Sequence, residues 1–275
     1  GPLEPYARYE MLSRAADRLE ERRGQFIEVM VREAGFTKSD SANECRRAIE
    51  TLRLSAEEAK RIKGDMIPIA GAPGAERRLG FTLRVPLGVV CAITPFNSPL
   101  NTVMHKVAPA LAAGNAVVLK PSSYTPLCSS LLCELLVDAG TPAGFINLVH
   151  GPGGTLGEWL LAEPAVRFFT FTGSTAVGKW IQGAAGLRRT QMECGSIAST
   201  IICADADIDF ALPRVVGASF RKAGQVCTSI QRLYVEKAIF EQFTARFVDT
   251  VQREVKAGDP SLDGIFLGPL IAPRE

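Results

Sequence analysis

Cys227 lies in Lys222-Ala223-Gly224-Gln225-Val226-Cys227-Thr228-Ser229, behind a Gly-Gln step. Such a thiol is either packed and inert, the usual fate of free cysteine, or a nucleophile. A nucleophile needs a base beside it and donors for the charge it creates on an attacked carbonyl. Four other segments carry side chains with chemical capacity. Asn97 stands in the loop Ile93-Thr94-Pro95-Phe96-Asn97-Ser98-Pro99, which its prolines stiffen. Its amide offers either a turn hydrogen bond or an N–H for an oxyanion. Lys120, in Leu119-Lys120-Pro121-Ser122-Ser123, is either a snorkelling lysine or a cation within reach of a ribose or phosphate. Phe171-Thr172-Gly173-Ser174-Thr175-Ala176-Val177-Gly178 puts a glycine loop ahead of a helical pattern, where backbone N–H groups can receive a phosphate. It is not the GxGxxG fingerprint, and strand-to-helix turns use Gly and Ser anyway. Glu193, in Met192-Glu193-Cys194-Gly195, reads by itself as a solvated or hydrogen-bonded carboxylate.

The elements around these segments fix where they fall. Tyr6–Arg23, Gln25–Glu33 and Ala42–Lys60 show helical periodicity. The last is highly charged and reads as a solvated amphipathic helix. Met66–Ile69 and Phe81–Val85 read as strands of a 64–85 hairpin. Strand-like runs then alternate with helices: strands at 88–94, 116–120, 146–150 and 167–172, helices at 102–113, 126–139, 155–161 and 176–183. Val- and Ile-rich strands with helices between them predict βαβ units, an α/β fold with a Rossmann-like parallel sheet and flanking helices. Asn97, Lys120 and Gly173-Ser174 all follow strands, and an open parallel sheet binds ligands at the carboxyl ends of its strands. Further strands are predicted at 200–203 and 233–236, a helix start at 206–209 and a helix at 238–255, before a Gly/Pro-rich tail.

Bulk properties narrow the function classes. A chain of 275 residues, 47% hydrophobic and 22% charged, is an ordinary globular one. Its 31 basic and 29 acidic side chains give a formal charge of +2, which predicts no nucleic-acid or membrane partner. The apolar runs are far shorter than a membrane span, and no leader peptide is legible. Gly1-Pro2 has no evident structural task and reads as a cloning remnant. The seven cysteines form no CxxC pair and several sit in apolar runs, which predicts reduced thiols and a cytoplasmic location. With His105 and His150 the only histidines, no zinc site is expected.

Taken in order, the segments PFNSP, APALAAGNAVVLKPSS, FTGSTAVG, ECG and GQVC with a following Arg232 resemble the aldehyde dehydrogenase superfamily. The resemblance runs from about Tyr6 to Gly268-Pro269-Leu270, and the ordered set is far more specific than any one piece. It implies oxidation of a small aldehyde to a carboxylate with NAD or NADP. Cys227 takes the place of the nucleophile, forming a thiohemiacetal and then a thioester. Asn97, with the Cys227 backbone N–H, takes the place of the oxyanion donor. Glu193 takes that of the base that hydrolyses the thioester. Ile93, Thr94, Pro95 and Phe96 match the run on the nicotinamide side, and Lys120 the ribose contact. Ser122 and Ser123 follow it, Gly173 and Ser174 match the pyrophosphate contact, and Gly195 the glycine that lets the cofactor approach. His105 is similar to branches acting on small anionic or hydroxylated aldehydes.

The resemblance also implies an organisation. Residues 1–192 would form the NAD(P)-binding domain with N-terminal helices, and its 64–85 hairpin would reach toward an oligomerisation sheet. Residues 193–275 would begin a catalytic domain. The chain would be a fragment lacking the family's C-terminal part, and its full form a homodimer or homotetramer. Two alternatives stand beside the hydrolytic reading: a catalytically incompetent truncated paralogue, and the CoA-acylating branch, which generally lacks the Glu193 counterpart. Three positions depart from the pattern. Ser123 stands where NAD-preferring members usually carry Glu, which predicts relaxed cofactor choice. Phe96 replaces a common Trp. Cys194-Gly195-Ser196-Ile197 replaces Leu-Gly-Gly-Lys.

Overall fold

A computed structural model of the chain describes residues 3–273; Gly1-Pro2, expected above to be a cloning remnant, lies outside them. Helix α1 (Pro5–Glu21) opens with proline in its first turn and buries Met11, Leu12, Ala15, Ala16 and Leu19. Helix α2 (Arg23–Ala34) stops at Gly35, whose φ of +67° ends it in the left-handed region. Helix α3 (Lys38–Ala59) begins before its apolar pattern does, because Thr37 caps it by accepting from the Asp40 N–H at 3.2 Å. Helix α3 is amphipathic as expected, but not all of its charges face outward: Glu44 lies in its buried stripe, between Ser41 and Ala48.

The predicted hairpin is present but much shorter. Strands β1 (Met66–Ile67) and β2 (Gly80–Phe81) pair antiparallel through Met66↔Phe81 and Ile67↔Gly80. Pro68 has no N–H to donate, Ile69 enters a short 3-10 turn, and Leu83 and Val85 stand exposed outside any strand.

Five parallel strands form the main sheet: β3 (Val89–Ile93), β4 (Ala116–Lys120), β5 (Ile146–Leu148), β6 (Val166–Thr172) and β7 (Arg189–Glu193), in spatial order β5-β4-β3-β6-β7. Their pleat sorts side chains by face. Val90, Ala92, Val117 and Leu119 join the core beneath α1, α2, α3, α4 (Asn101–Ala112) and α5 (Pro126–Asp138). Cys91, Val166, Phe169 and Phe171 join the opposite core with α6 (Gly153–Ala162) and α7 (Thr175–Ala184). Burial on both faces explains the unbroken apolar run of β3 and the three phenylalanines of β6. The chain builds outward from β3 through β4 to β5, then returns to lay β6 on the other side of β3. A crevice opens where the direction reverses.

Strand β7 has no counterpart among the predicted strands. It is an edge strand paired only with β6, and its sequence, Arg-Thr-Gln-Met-Glu, lacks the apolar run of the central strands. After it, β8 (Thr200–Ile202) pairs in parallel with β9 (Leu233–Val235). Helices α8 (Ile208–Phe220) and α9 (Phe240–Glu254) pack there on a small core of Ile202, Leu212, Val215 and Phe243. The Cys227 segment runs between α8 and β9. Among the described residues no helix is long and apolar enough to cross a membrane.

Candidate active site

The carboxyl ends of the parallel strands converge on a cleft of about 590 Å³. The end of β3 supplies Thr94, Pro95, Phe96 and Asn97; that of β4 supplies Lys120, Ser122 and Ser123. Gly173 and Ser174 follow β6, Glu193 ends β7, and Gly195 follows it. Cys227 closes the cleft from the side. Every predicted site residue lies on this cleft or on a cavity that adjoins it. Ile93 is displaced from the expected run: as the last residue of β3 it shares the face of Cys91, so it lines a slot of about 370 Å³ beside Trp180 and Ile181 of α7. That slot shares Lys120, Gly153 and Val177 with the main cleft.

Local structure accounts for the shape of the cleft. Ser174 is the N-cap of α7, its Oγ accepting from the Val177 N–H, so the positive end of the helix faces the cleft. A Cβ on Gly195 would meet nothing within 4 Å, so the cleft is open above it, whereas one on Gly173 would come within 2.6 Å of the Phe171 ring. The Thr94 hydroxyl is buried and has no hydrogen-bond partner among the described residues. Lys120 is buried, its Nζ donating to the Pro121 carbonyl at 2.9 Å, and burial lowers its pKa. Ser122 Oγ accepts from the Tyr124 N–H, while Ser123 is exposed. Ser196, where the family pattern has Gly, accepts from the Ala198 N–H at 3.0 Å and holds Ala198 at a φ of +39°.

Cys227 arrives on a backbone that winds through three left-handed residues, Lys222 (φ +52°), Ala223 (+55°) and Gly224 (+76°). Two of these carry side chains, so the turn is strained and other contacts must hold it. The hold is a buried ion pair. Lys222 Nζ donates to Glu44 Oε1 at 2.9 Å and to the Asn97 carbonyl at 2.7 Å, and sits 4.2 Å from the centre of the Phe36 ring. The other Glu44 oxygen accepts from Ser98 Oγ at 2.7 Å and from the Asn101 N–H at 3.1 Å, capping α4 with a carboxylate. One network therefore joins the Asn97 loop, α3 and the Cys227 loop. Gln225 adds a tie: its Nε2 donates to the Lys222 carbonyl and its Oε1 accepts from the Ile271 N–H.

The seven thiols are free, and four of them differ in kind from Cys227. Burial pushes Cys45, Cys91 and Cys133 up to about 12 and Cys128 well above the ordinary thiol value. Those thiols are structural. Cys227 is only partly buried and lines two cavities. Its pKa is raised first by desolvation, then by the nearby Glu193 carboxylate, which disfavours the thiolate. The backbone N–H groups of Cys227 and Thr228 act in the opposite sense. Thiol, Glu193 and Asn97 thus share one place between the two cavities.

The second cavity, about 320 Å³, lies on the far side of Cys227, Glu193 and Asn97 from the cleft. His105 and Lys106 of α4 line it, as do Arg47, Glu44, Arg221 and Lys222. Desolvation, with Arg47 and Lys106 nearby, lowers the His105 pKa, so its ring favours the neutral form. Lys106 is 4% exposed, and burial takes its pKa down to about 8 against the partial support of Glu193. The sequence reading missed Glu44, Arg47, Arg221 and Lys222. A carboxylate inside the buried stripe of α3 was the one signal for the first of them.

Fold and site together define a doubly wound α/β protein with a thiol, a carboxylate and an amide at the mouth of its ligand crevice. The aldehyde dehydrogenase family model matches residues 2–275, and the chain belongs to that family. It is 46% identical over 271 residues to the 3-sulfolactaldehyde dehydrogenase of Priestia megaterium, covering 98% of this chain and 57% of that protein. An NADP-dependent enzyme of E. coli superposes with a TM-score of 0.95 at 34% identity, over 99% of this chain and 56% of that one. The glyceraldehyde-3-phosphate dehydrogenase GapN of Methanocaldococcus jannaschii, complexed with NADP, superposes at 0.91 and 34% identity, over 96% of this chain and 57% of that one. The chain thus spans a little over half the length of these relatives.

Proposed function

We propose that the protein oxidises a small aldehyde to its carboxylate with NAD+ or NADP+, through a covalent intermediate on Cys227. The observation that carries this reading is that Cys227, Glu193 and Asn97 line both cavities together, with the Glu193 carboxylate close enough to raise the thiol pKa. Glu193 takes the thiol proton and the sulfur attacks the aldehyde carbon. The alkoxide formed is held by the Asn97 side-chain N–H and the Cys227 backbone N–H. The cleft fits a dinucleotide: the α7 N-terminus with Gly173 and Ser174 receives a pyrophosphate, and Lys120 a ribose. The slot of Ile93 and Trp180 takes a flat ring, and the open space over Gly195 with Thr94, Pro95 and Phe96 takes the other end. Bound there, the nicotinamide supplies the hydride acceptor. Glu193, having released the thiol proton to solvent, then draws a proton from water, the water attacks the acyl carbon, and Cys227 leaves as thiolate.

Ser123 leaves the ribose end of the cleft without a carboxylate at that position, which supports use of NADP+ alongside NAD+. Glu193 favours hydrolysis over transfer to coenzyme A, and survival of the whole site speaks against a dead paralogue. His105, on the second cavity, touches the substrate side. In this reading residues 1–192 hold the cofactor and 193–275 bring the nucleophile. The exposed Met66, Phe81, Leu83 and Val85 around the 64–85 hairpin support homo-oligomer formation, and the seven free thiols support a cytoplasmic location. The test is an aldehyde panel with each cofactor, followed by absorbance of the reduced nicotinamide, on the wild type and on Cys227→Ala. Turnover that survives Cys227→Ala rejects the reading.

A further inference from the structure

We infer that the tail from Lys256 to Ile271 is a strap that sets the nucleophile loop in place, and that Gln225 is the positioning residue through which it acts. This rests on Cys227 being the nucleophile, as proposed above. The strap is closed at its base. There the Phe266 and Leu267 N–H groups donate to the Lys256 carbonyl at 2.9 and 3.2 Å, and the Gly258 N–H donates to the Leu267 carbonyl at 3.2 Å. From that base it crosses to the turn between α2 and α3, where backbone meets backbone. A Cβ on Gly268 would come within 2.1 Å of the Gly35 carbonyl oxygen, and one on Gly35 within 2.8 Å of the Pro269 ring. Only glycine allows so close an approach at Gly268. The Lys38–Asp263 pair, 3.0 Å apart, is exposed and adds little to the hold. Three residues beyond Gly268, the Ile271 N–H donates to Gln225 Oε1 at 3.0 Å.

Gln225 is suited to pass that hold to the loop. A backbone N–H can only donate, so the bond from Ile271 fixes which end of the amide is oxygen. The amide nitrogen then faces the Lys222 carbonyl and donates to it at 3.1 Å, and the Gln225 backbone N–H donates to the same carbonyl at 3.1 Å. That carbonyl belongs to the first residue of the left-handed turn. The Lys222 side chain is tied to Glu44, whereas Ala223 and Gly224 have no side-chain group that could anchor them. Gln225 therefore closes the strained turn from behind. The next peptide, Val226–Cys227, is the one whose plane aims the Cys227 N–H at the oxyanion in the proposed reaction. Both holds converge on one turn, since Gly35 bears the strap and the ring of adjacent Phe36 lies 4.2 Å from the Lys222 ammonium. Among the described residues none of the strap lines the cofactor cleft, so loosening it should slow acylation and spare cofactor binding.

Two variants release the strap at different points. Gln225→Met removes both side-chain hydrogen bonds at nearly constant length, and Gly268→Ala lifts the strap off Gly35 without altering the loop. In single-turnover measurements each should slow formation of reduced nicotinamide about tenfold or more, since a misplacement of about 1 Å can cost about 100-fold. NAD(P)+ binding, followed by fluorescence titration, should stay unchanged. The pH profile of iodoacetamide alkylation at Cys227 should move to lower pH as the thiol leaves its desolvated place beside Glu193, while that of exposed Cys203 stays fixed. The double variant should be no more than about twofold slower than Gln225→Met alone, because the strap acts through that side chain. An acylation rate within about twofold of wild type in Gln225→Met, a Cys227 profile unmoved in both variants, or losses that multiply in the double variant overturn the strap and leave the nucleophile standing. Turnover retained in Cys227→Ala overturns the functional reading, and the strap with it.

Discussion

Removing the Lys222 ammonium tests the network that holds the nucleophile loop. In Lys222→Met the apolar stem is kept, but Glu44, whose side chain is 3% exposed, loses its counter-ion at 2.9 Å, and the Asn97 carbonyl loses its donor at 2.7 Å. Breaking one half of a buried pair costs about 3–5 kcal/mol, because an uncompensated charge is left in the interior. Glu44 keeps two donors, Ser98 Oγ and the Asn101 N–H, so the lower end of that range, about 3 kcal/mol, is expected. A domain of this size has a total stability of about 5–15 kcal/mol, so the loss is easily read by urea unfolding followed by circular dichroism. Adding Glu44→Gln removes the stranded charge yet leaves an amide oxygen for one donor. The double variant should regain at least about 1 kcal/mol over Lys222→Met, a non-additive result for two residues in contact. A loss below about 1 kcal/mol for Lys222→Met, or simple addition in the double variant, refutes the claim that this pair clamps the loop.

Other expectations follow from single residues. Glu193→Gln removes the negative charge that raises the Cys227 thiol, so the pH profile of its alkylation by iodoacetamide should move to lower pH, even as aldehyde hydrolysis is lost; an unmoved profile contradicts the assignment. Asn97→Ala should slow the acylation step about 100- to 1,000-fold in single-turnover measurements, with cofactor binding by fluorescence unchanged. Ser123→Glu should weaken NADP+ relative to NAD+ by about tenfold or more in binding titrations, since a carboxylate repels the 2′-phosphate. Lys106 carries a folded-state pKa of about 8, below the ordinary lysine value. The cost of burying its charge is full below pH 8 and fades as pH rises toward about 10.4. Lys106→Met should therefore unfold at a higher temperature than wild type at pH 7, with the gap narrowing at pH 9.

The central strands were legible because burial on both faces demands the apolar runs of β3 and β4 and the phenylalanines of β6. Strand β7 was not, because an edge strand with one neighbour and exposed side chains tolerates Arg, Thr, Gln and Glu. The hairpin was overread: exposed apolar residues at 82–85 imitate a strand, but pairing extends only from Met66 to Ile67 and Gly80 to Phe81. The family resemblance carried by the ordered segments singled out Asn97, Lys120, Gly173, Ser174 and Glu193, and the strand ends of a parallel sheet bring these residues to one edge. The path of Cys227 into that edge was hidden. It depends on a left-handed turn at two residues that carry side chains, held by an ion pair between Glu44 and Lys222 across 178 positions. A charged helix such as α3 looks solvated until the partner that neutralises its inward carboxylate is known.

The most direct measurement traps the acyl group. Glu193→Gln protein, at a pH high enough for the Cys227 thiol to ionise without that base, is mixed with an aldehyde and NAD(P)+, and intact and peptide masses are recorded. The account predicts one acyl group per chain, carried by the peptide that contains Cys227 and absent without cofactor. Reduced nicotinamide accumulating with no acyl mass on Cys227, or acylation of another cysteine in its place, contradicts it.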